Sequence, residues 1–179
     1  MAQAKKGIKR PVRMSSSGLP KRARMNSLES IYGDSPVKFF KAGRQTIVSG
    51  HFIGRSKSDR YLLVSKLSGR TGKFVPIAET NLTVSSDGKT LVMHNVGVLS
   101  PHKIPDANEA KQIRKALLTG GAGLGLFGVF VYEARAFARK NNVKEIRIVP
   151  ENKKLAEYYK RYGFKVDKKF GAQLVLNVR

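Results

Sequence analysis

Apolar and charged residues alternate along Val143-Lys144-Glu145-Ile146-Arg147-Ile148-Val149, the two-residue period of a half-buried strand. Pro150 has no N–H for a ladder and ends it. Asn152 is placed to cap a helix whose apolar positions Leu155, Tyr158, Tyr159 and Tyr162 recur at three- and four-residue spacing. Gly163 stops that helix where a left-handed residue is needed, and Phe164 opens a further strand. Upstream, Phe127, Phe130, Val131, Ala134, Phe137 and Ala138 form one apolar face of a helix over Leu126–Lys140, with Glu133, Arg135 and Arg139 elsewhere. In the N-terminal half the period returns to two. Thr46–Ile53, Tyr61–Leu67 and Lys73–Ile77 read as strands, and Leu82–Val84 faces Thr90–Val96 across the hairpin signal Asp87-Gly88. Two further helices are expected: a short one over Ser35–Lys41, from Ser at the cap and Pro in the first turn, and one opened by the capping box Asp106–Glu109 that runs through Leu117. The order gives an α/β (α+β) class, a mixed sheet in which an antiparallel meander precedes a βαβ unit.

Composition changes this picture in one respect. The 179 residues, 41% of them apolar, suffice for one core domain with an appendage. With no cysteine, disulfides, thiolate metal sites and a cysteine nucleophile are excluded. His51, His94 and His102 make no metal motif, so no metal is expected. No apolar run reaches the roughly 20 residues of a membrane span, and no signal peptide is evident. The reading is of an intracellular protein, cytoplasmic or nuclear, or one packaged inside a virion. Charge is the exception. Lys+Arg number 35 against 12 Asp+Glu, a net +23 that favours a polyanionic partner, nucleic acid first, and suits membership of a larger assembly. Residues 1–28 form a basic flexible arm: Lys5, Lys6, Lys9, Arg10, Arg13, Lys21, Arg22 and Arg24 are unopposed by any acid before Glu29. Lys9-Arg10 and Lys21-Arg22-Ala23-Arg24 are also spaced like a bipartite nuclear localisation signal. Residues 29–179 form the folded domain: a strand-rich half to 98, a helical insertion over 99–119, and 120–179 beyond it.

The C-terminal stretch carries a resemblance. Asn152, Ala156, Tyr158, Tyr159, Gly163 and Phe164, following a strand, are similar to the closing signature of the GNAT superfamily of acetyl-CoA-dependent N-acetyltransferases. Gly121-Ala122-Gly123-Leu124-Gly125 before an apolar helix resembles that superfamily's pyrophosphate loop. Together they cover roughly the last third of the chain. The resemblance implies a GNAT-like fold with acetyl-CoA as cofactor, held by Gly121, Ala122, Gly123, Leu124, Gly125 and Asn152. Glycines at a helix N-terminus suit a phosphate, because free N–H groups and the helix dipole converge there. Two features depart from the family pattern: roughly twenty residues intervene between the meander and the loop, and Gly120 stands where the family has Arg or Gln.

Transfer of an acetyl group to an amine needs an acid for the departing thiolate and a base for the amine. Tyr159 falls at the family's tyrosine, which implies the acid. For the base the candidates are His94 and, less directly, Glu79. Two functions therefore stand side by side: an N-acetyltransferase with a nucleic-acid-binding arm, and a nucleic-acid-binding structural protein that keeps the fold without the chemistry.

Overall fold

The computed structural model describes residues 12–13, 28–42, 45–54, 56, 58–68, 72–98 and 126–178. The capping-box helix, the glycine loop 121–125 and the arm's cationic side chains lie outside the described residues. Among the described residues nine strands form one sheet in the order β1-β2-β3-β4-β5-β6-β7-β9-β8. These are β1 (Val12–Arg13), β2 (Val37–Ala42), β3 (Gln45–Ile53), β4 (Asp59–Leu67), β5 (Phe74–Val84), β6 (Thr90–Val98), β7 (Glu145–Ile148), β8 (Lys165–Val166) and β9 (Leu174–Asn177). Helix α1 (Leu126–Lys140) joins β6 to β7 and helix α2 (Lys153–Lys160) follows β7. β6 and β7 pair in parallel, whereas the other neighbours pair antiparallel. The mixed sheet, with a meander ahead of a βαβ unit, is the architecture anticipated above.

Register decides which side chains meet. Leu91 and Met93 of β6 sit beside Ile146 and Ile148 of β7, which sit beside Leu176 and Leu174 of β9. All six are buried with Phe127, Val131, Ala134 and Ala138 of α1 and Tyr158 and Tyr159 of α2, so both helices cover one face of this half of the sheet. Burying each large apolar side chain contributes about 1.5–3 kcal/mol, so this layer is the main adhesive between helices and sheet. On the opposite face a helical turn over 28–32 lies across β3 and β4. Tyr32 lies against Gly50, and its hydroxyl donates to Ser65 Oγ at 2.7 Å.

Three elements differ from expectation. Ser35–Lys41 is not a helix; Val37–Ala42 is strand β2, paired with β3 from Val37↔Gly50 to Ala42↔Gln45. Val37, Phe39 and Phe40 suit a pleated surface, and a six-residue pairing outweighs the Ser-Pro helix signal. The stretch read as two strands, Lys73–Ile77 and Leu82–Val84, is one eleven-residue strand, β5. Pro76 is accommodated where the β4–β5 register shifts, between Val64 and Ser65. Within the arm, Val12–Arg13 pairs with Lys41 and Phe40 as an edge strand. The helix over Leu126–Lys140 is found with the expected bounds.

Candidate active site

Pairing between β6 and β7 covers four residues, Thr90↔Glu145 to Met93↔Ile148, and then stops. Val149 and Pro150 leave the sheet, because proline cannot extend the ladder. β6 runs on to Val98, held on its other side by β5 through Glu79↔Gly97 and Ala78↔Val98. Between Asn81↔His94 and Glu79↔Gly97 the β5 chain advances two residues and β6 three, a bulge on β6. The result is an opening at the carboxyl ends of two parallel strands, one side of which is β6 backbone over 94–98 without a β7 partner. Crevices outside the carboxyl ends of parallel strands are where α/β sheets take ligands.

The crossover brings a helix N-terminus to the same end. α1 returns directly to the start of β7, with Val143 N donating to Ala138 O, so Lys140 lies at that end, and Phe127 of its first turn lies against Tyr159 of α2. The first turn of α1 carries no acidic residue, and its last turn carries Arg139 and Lys140, so within the helix nothing offsets the positive N-terminal end of its dipole. α2 also starts at the open end. Its N-cap is Asn152, whose side chain accepts from Leu155 N at 2.9 Å. That contact engages one lone pair of the Asn152 amide oxygen in holding the helix.

Tyr159 is carried by α2 to the start of α1. Its ring stacks on Phe127, centroids 4.3 Å apart and planes 17° from parallel, and 6% of the residue is exposed. Burial, with a smaller effect from the Glu151 carboxylate, pushes its phenol up to about 12, so the hydroxyl keeps its proton throughout the neutral range. Its neighbour Tyr158 shares a hydroxyl contact of 3.1 Å with Tyr162 instead.

His94 and Glu79 are on the other face. Met93 is buried in the helix-facing core, and alternation turns His94, which is exposed, the opposite way. Glu79 turns with it and accepts a hydrogen bond from the Tyr61 hydroxyl, a phenol that burial, and then this carboxylate, raise well above its usual range. The structure thus brings Tyr159 and the α1 N-terminus together, and places both base candidates across the sheet from them. Among the described residues no group of three or more His, Asp or Glu is arranged to hold a metal ion, and no helix is long and apolar enough to cross a membrane.

A second polar constellation escaped the sequence reading. Glu133, on the buried side of α1, accepts from Ser49 Oγ at 2.9 Å, Lys38 Nζ at 2.7 Å and His51 Nε2 at 2.8 Å. Burial raises its carboxyl, but the hydrogen bonds from His51 and Lys38 outweigh it and hold the group below the usual carboxylate range. The signal was available: Glu133 lies three residues from Phe130 and four from Phe137, on the apolar stripe, and Ser49-x-His51 puts two polar groups on one face of a strand.

No family model matches the sequence, and curated proteins give no match to it. Solved structures similar to this chain include Campylobacter jejuni N-acetyltransferase PseH, at 14% identity over 70% of this chain and 72% of that one, TM-score 0.41. The aminoglycoside 6'-N-acetyltransferase from Enterococcus faecium is 7% identical over 70% of this chain and 77% of its own, TM-score 0.37. Nourseothricin acetyltransferase is 11% identical over 95% and 98% respectively, TM-score 0.44.

Proposed function

We propose that this chain is an N-acetyltransferase of GNAT-like fold that takes acetyl-CoA at the opening between β6 and β7 and transfers its acetyl group to an amine. One observation carries the reading: β6 and β7 part after Met93 and Ile148, at the end of the sheet where α1 begins and Tyr159 lies. The residues present fit the cofactor. The uncompensated N-terminus of α1, with Gly121–Gly125 immediately before it in sequence, suits a pyrophosphate. The β6 backbone over 94–98 offers strand-like hydrogen bonding to an extended amide chain. Bound acetyl-CoA supplies an activated thioester. Tyr159 holds a proton at its phenol oxygen for the departing thiolate, and His94, exposed on the opposite face, takes the proton of the incoming amine directly or through water, with Glu79 as the other candidate.

A second reading is favoured by the net charge of +23 and by Gly120 at the position of the family's Arg or Gln: a nucleic-acid-binding protein that retains the fold without the chemistry. Calorimetric titration with acetyl-CoA separates them. Stoichiometric binding by the parent, abolished by Gly123→Asp, which puts a side chain and a negative charge among the phosphates, supports the transferase. No binding by the folded parent selects the second reading.

A further inference from the structure

On the face of the sheet away from α1 and α2, the β5–β6 turn, β7 and the β8–β9 hairpin enclose a groove of about 700 Å³, lined among others by Asp87, Lys89, Lys144, Arg147 and Gln173. Arg147 is its fixed centre. It lies between Ile146 and Ile148, which are buried under the helices, so it points outward. Its guanidinium donates to Glu145 Oε1 from Nε at 2.9 Å, pairs with the same oxygen through Nη2 at 2.8 Å, and reaches Asp167 at 3.5 Å and Gln173 Oε1 at 3.4 Å. Held in this way, the cation lies 5.7 Å from the centroid of the Phe170 ring.

Phe170 is 54% exposed, an unusual state for an aromatic whose backbone is so firmly tied. Asp167 Oδ1 accepts from the N–H of Lys169 and of Phe170, and Gln173 N donates to Phe170 O at 2.7 Å. The Arg147 guanidinium lies over the ring, and about half of the residue is left to solvent. Lys165, Lys168 and Lys169 stand on its own strand and turn, and Lys89 and Lys144 line the groove; all five are exposed. Lys165 shares a cross-strand row with Arg147 through Val175. These lysines and Arg147 make six cations against three carboxylates, Asp87, Glu145 and Asp167, and the last two are already engaged by Arg147.

We propose that this groove binds a single-stranded nucleic-acid segment, with one base stacked on Phe170 and the flanking phosphates on the surrounding lysines. A rigid, half-exposed aromatic beside exposed ammonium groups is the combination that single strands recognise; a duplex keeps its base faces inside the stack and cannot use the ring. The site is at the β8 edge of the sheet, opposite the β1 edge, and is proposed independently of acetyl transfer.

The test uses the full chain and fluorescence anisotropy with an oligodeoxythymidine of about a dozen nucleotides. Phe170→Ala weakens binding about tenfold, within the range for loss of one stacked base, and leaves the slope of log K against log salt unchanged. Binding of heparin, a polyanion without bases, and of a DNA duplex of equal length stays as in the parent. Phe170 is exposed, so an unaltered thermal melt certifies the variant's fold. As a second measurement, an oligonucleotide carrying 4-thiothymidine is photo-crosslinked to the parent, and the adduct maps to residues 165–173. Unchanged oligonucleotide binding by Phe170→Ala, an equal loss for heparin, or crosslinks confined to residues 1–28 each overturns the proposal.

Discussion

Two residues carry the sharpest expectations. Tyr159 joins a sequence position to a physical circumstance, a phenol wedged on Phe127 beside a helix N-terminus and raised to about 12. Tyr159→Phe keeps the ring and the stacking, so acetyl-CoA affinity is unchanged while steady-state kcat falls by about 10²–10⁴ if the hydroxyl supplies the proton. An unaltered kcat removes Tyr159 from the chemistry. The shift also has a sign. Folding favours the neutral phenol over its free value of about 10, so that contribution to stability is whole below pH 10 and is lost as the pH rises through about 12. The pH–rate profile therefore shows no alkaline limb from this group below about pH 10. Gly163 is the other residue, with φ at +95° and an added Cβ meeting Leu176 Cδ1 at 3.3 Å. Gly163→Val costs about 1–3 kcal/mol of backbone strain, read as a lowered urea midpoint with unchanged m-value. The sequence disclosed this glycine because the helix period breaks at a residue able to turn left-handed. It disclosed Tyr159 but not Phe127 beneath it, since that contact joins residues thirty-two positions apart through the packing of two helices.

At the level of elements, what was legible is whatever local pattern alone determines. α1 has a continuous apolar stripe and both of its bounds; the β5–β6 hairpin has its Asp-Gly, with Gly88 at φ +69°. Ser35–Lys41 was misread because its cap signal is local while the pairing that makes it β2 comes from residues 45–50. β5 was split because Pro76 breaks the period, and the register shift beside it compensates only in three dimensions. Glu133 belongs to the same class: the sequence reading sets it off the apolar face, whereas the structure buries it against partners on β2 and β3. This carboxylate fastens α1 to the far half of the sheet. Glu133→Ala takes the shared acceptor from Lys38, Ser49 and His51 and should cost about 2–4 kcal/mol, discounted from a fully buried pair because Lys38 and His51 remain partly exposed. The same group sets an acid limit. With its folded value below the usual one, its stabilisation is complete above the unfolded carboxyl value and disappears as the pH falls through the lower one. Thermal melts of Glu133→Gln should therefore show a shallower loss of Tm on acidification than the parent; parallel curves would assign the acid sensitivity to other carboxylates.

For the whole molecule the deciding quantity is charge, and here sequence and fold must be read together. Thirty-five cationic residues against twelve acids leave +23, and compaction brings these charges closer. Part of that charge lies at one end of the sheet, where Arg147 of β7 and Lys165 of β8 share a cross-strand row through Val175. In the arm, Val12–Arg13 pairs with β2, so a truncation that spares this strand ends before Val12. Deleting residues 1–11 takes away Lys5, Lys6, Lys9 and Arg10. Each phosphate contact to a single strand contributes about 0.7 to the slope of log K against log salt, so the deletion flattens that slope by up to about 3. Self-repulsion makes a second, independent demand. Between about 50 and 500 mM NaCl the Debye length shortens from beyond 10 Å to a few ångströms, so the Tm of the free parent rises with salt. An oligonucleotide at low salt raises it as well, because a ligand that binds the native state stabilises it. In the truncated chain both gains shrink together, since both draw on the same four charges. A salt slope and a salt-dependent Tm that match the parent's would show that the segment before Val12 takes no part in holding the polyanion.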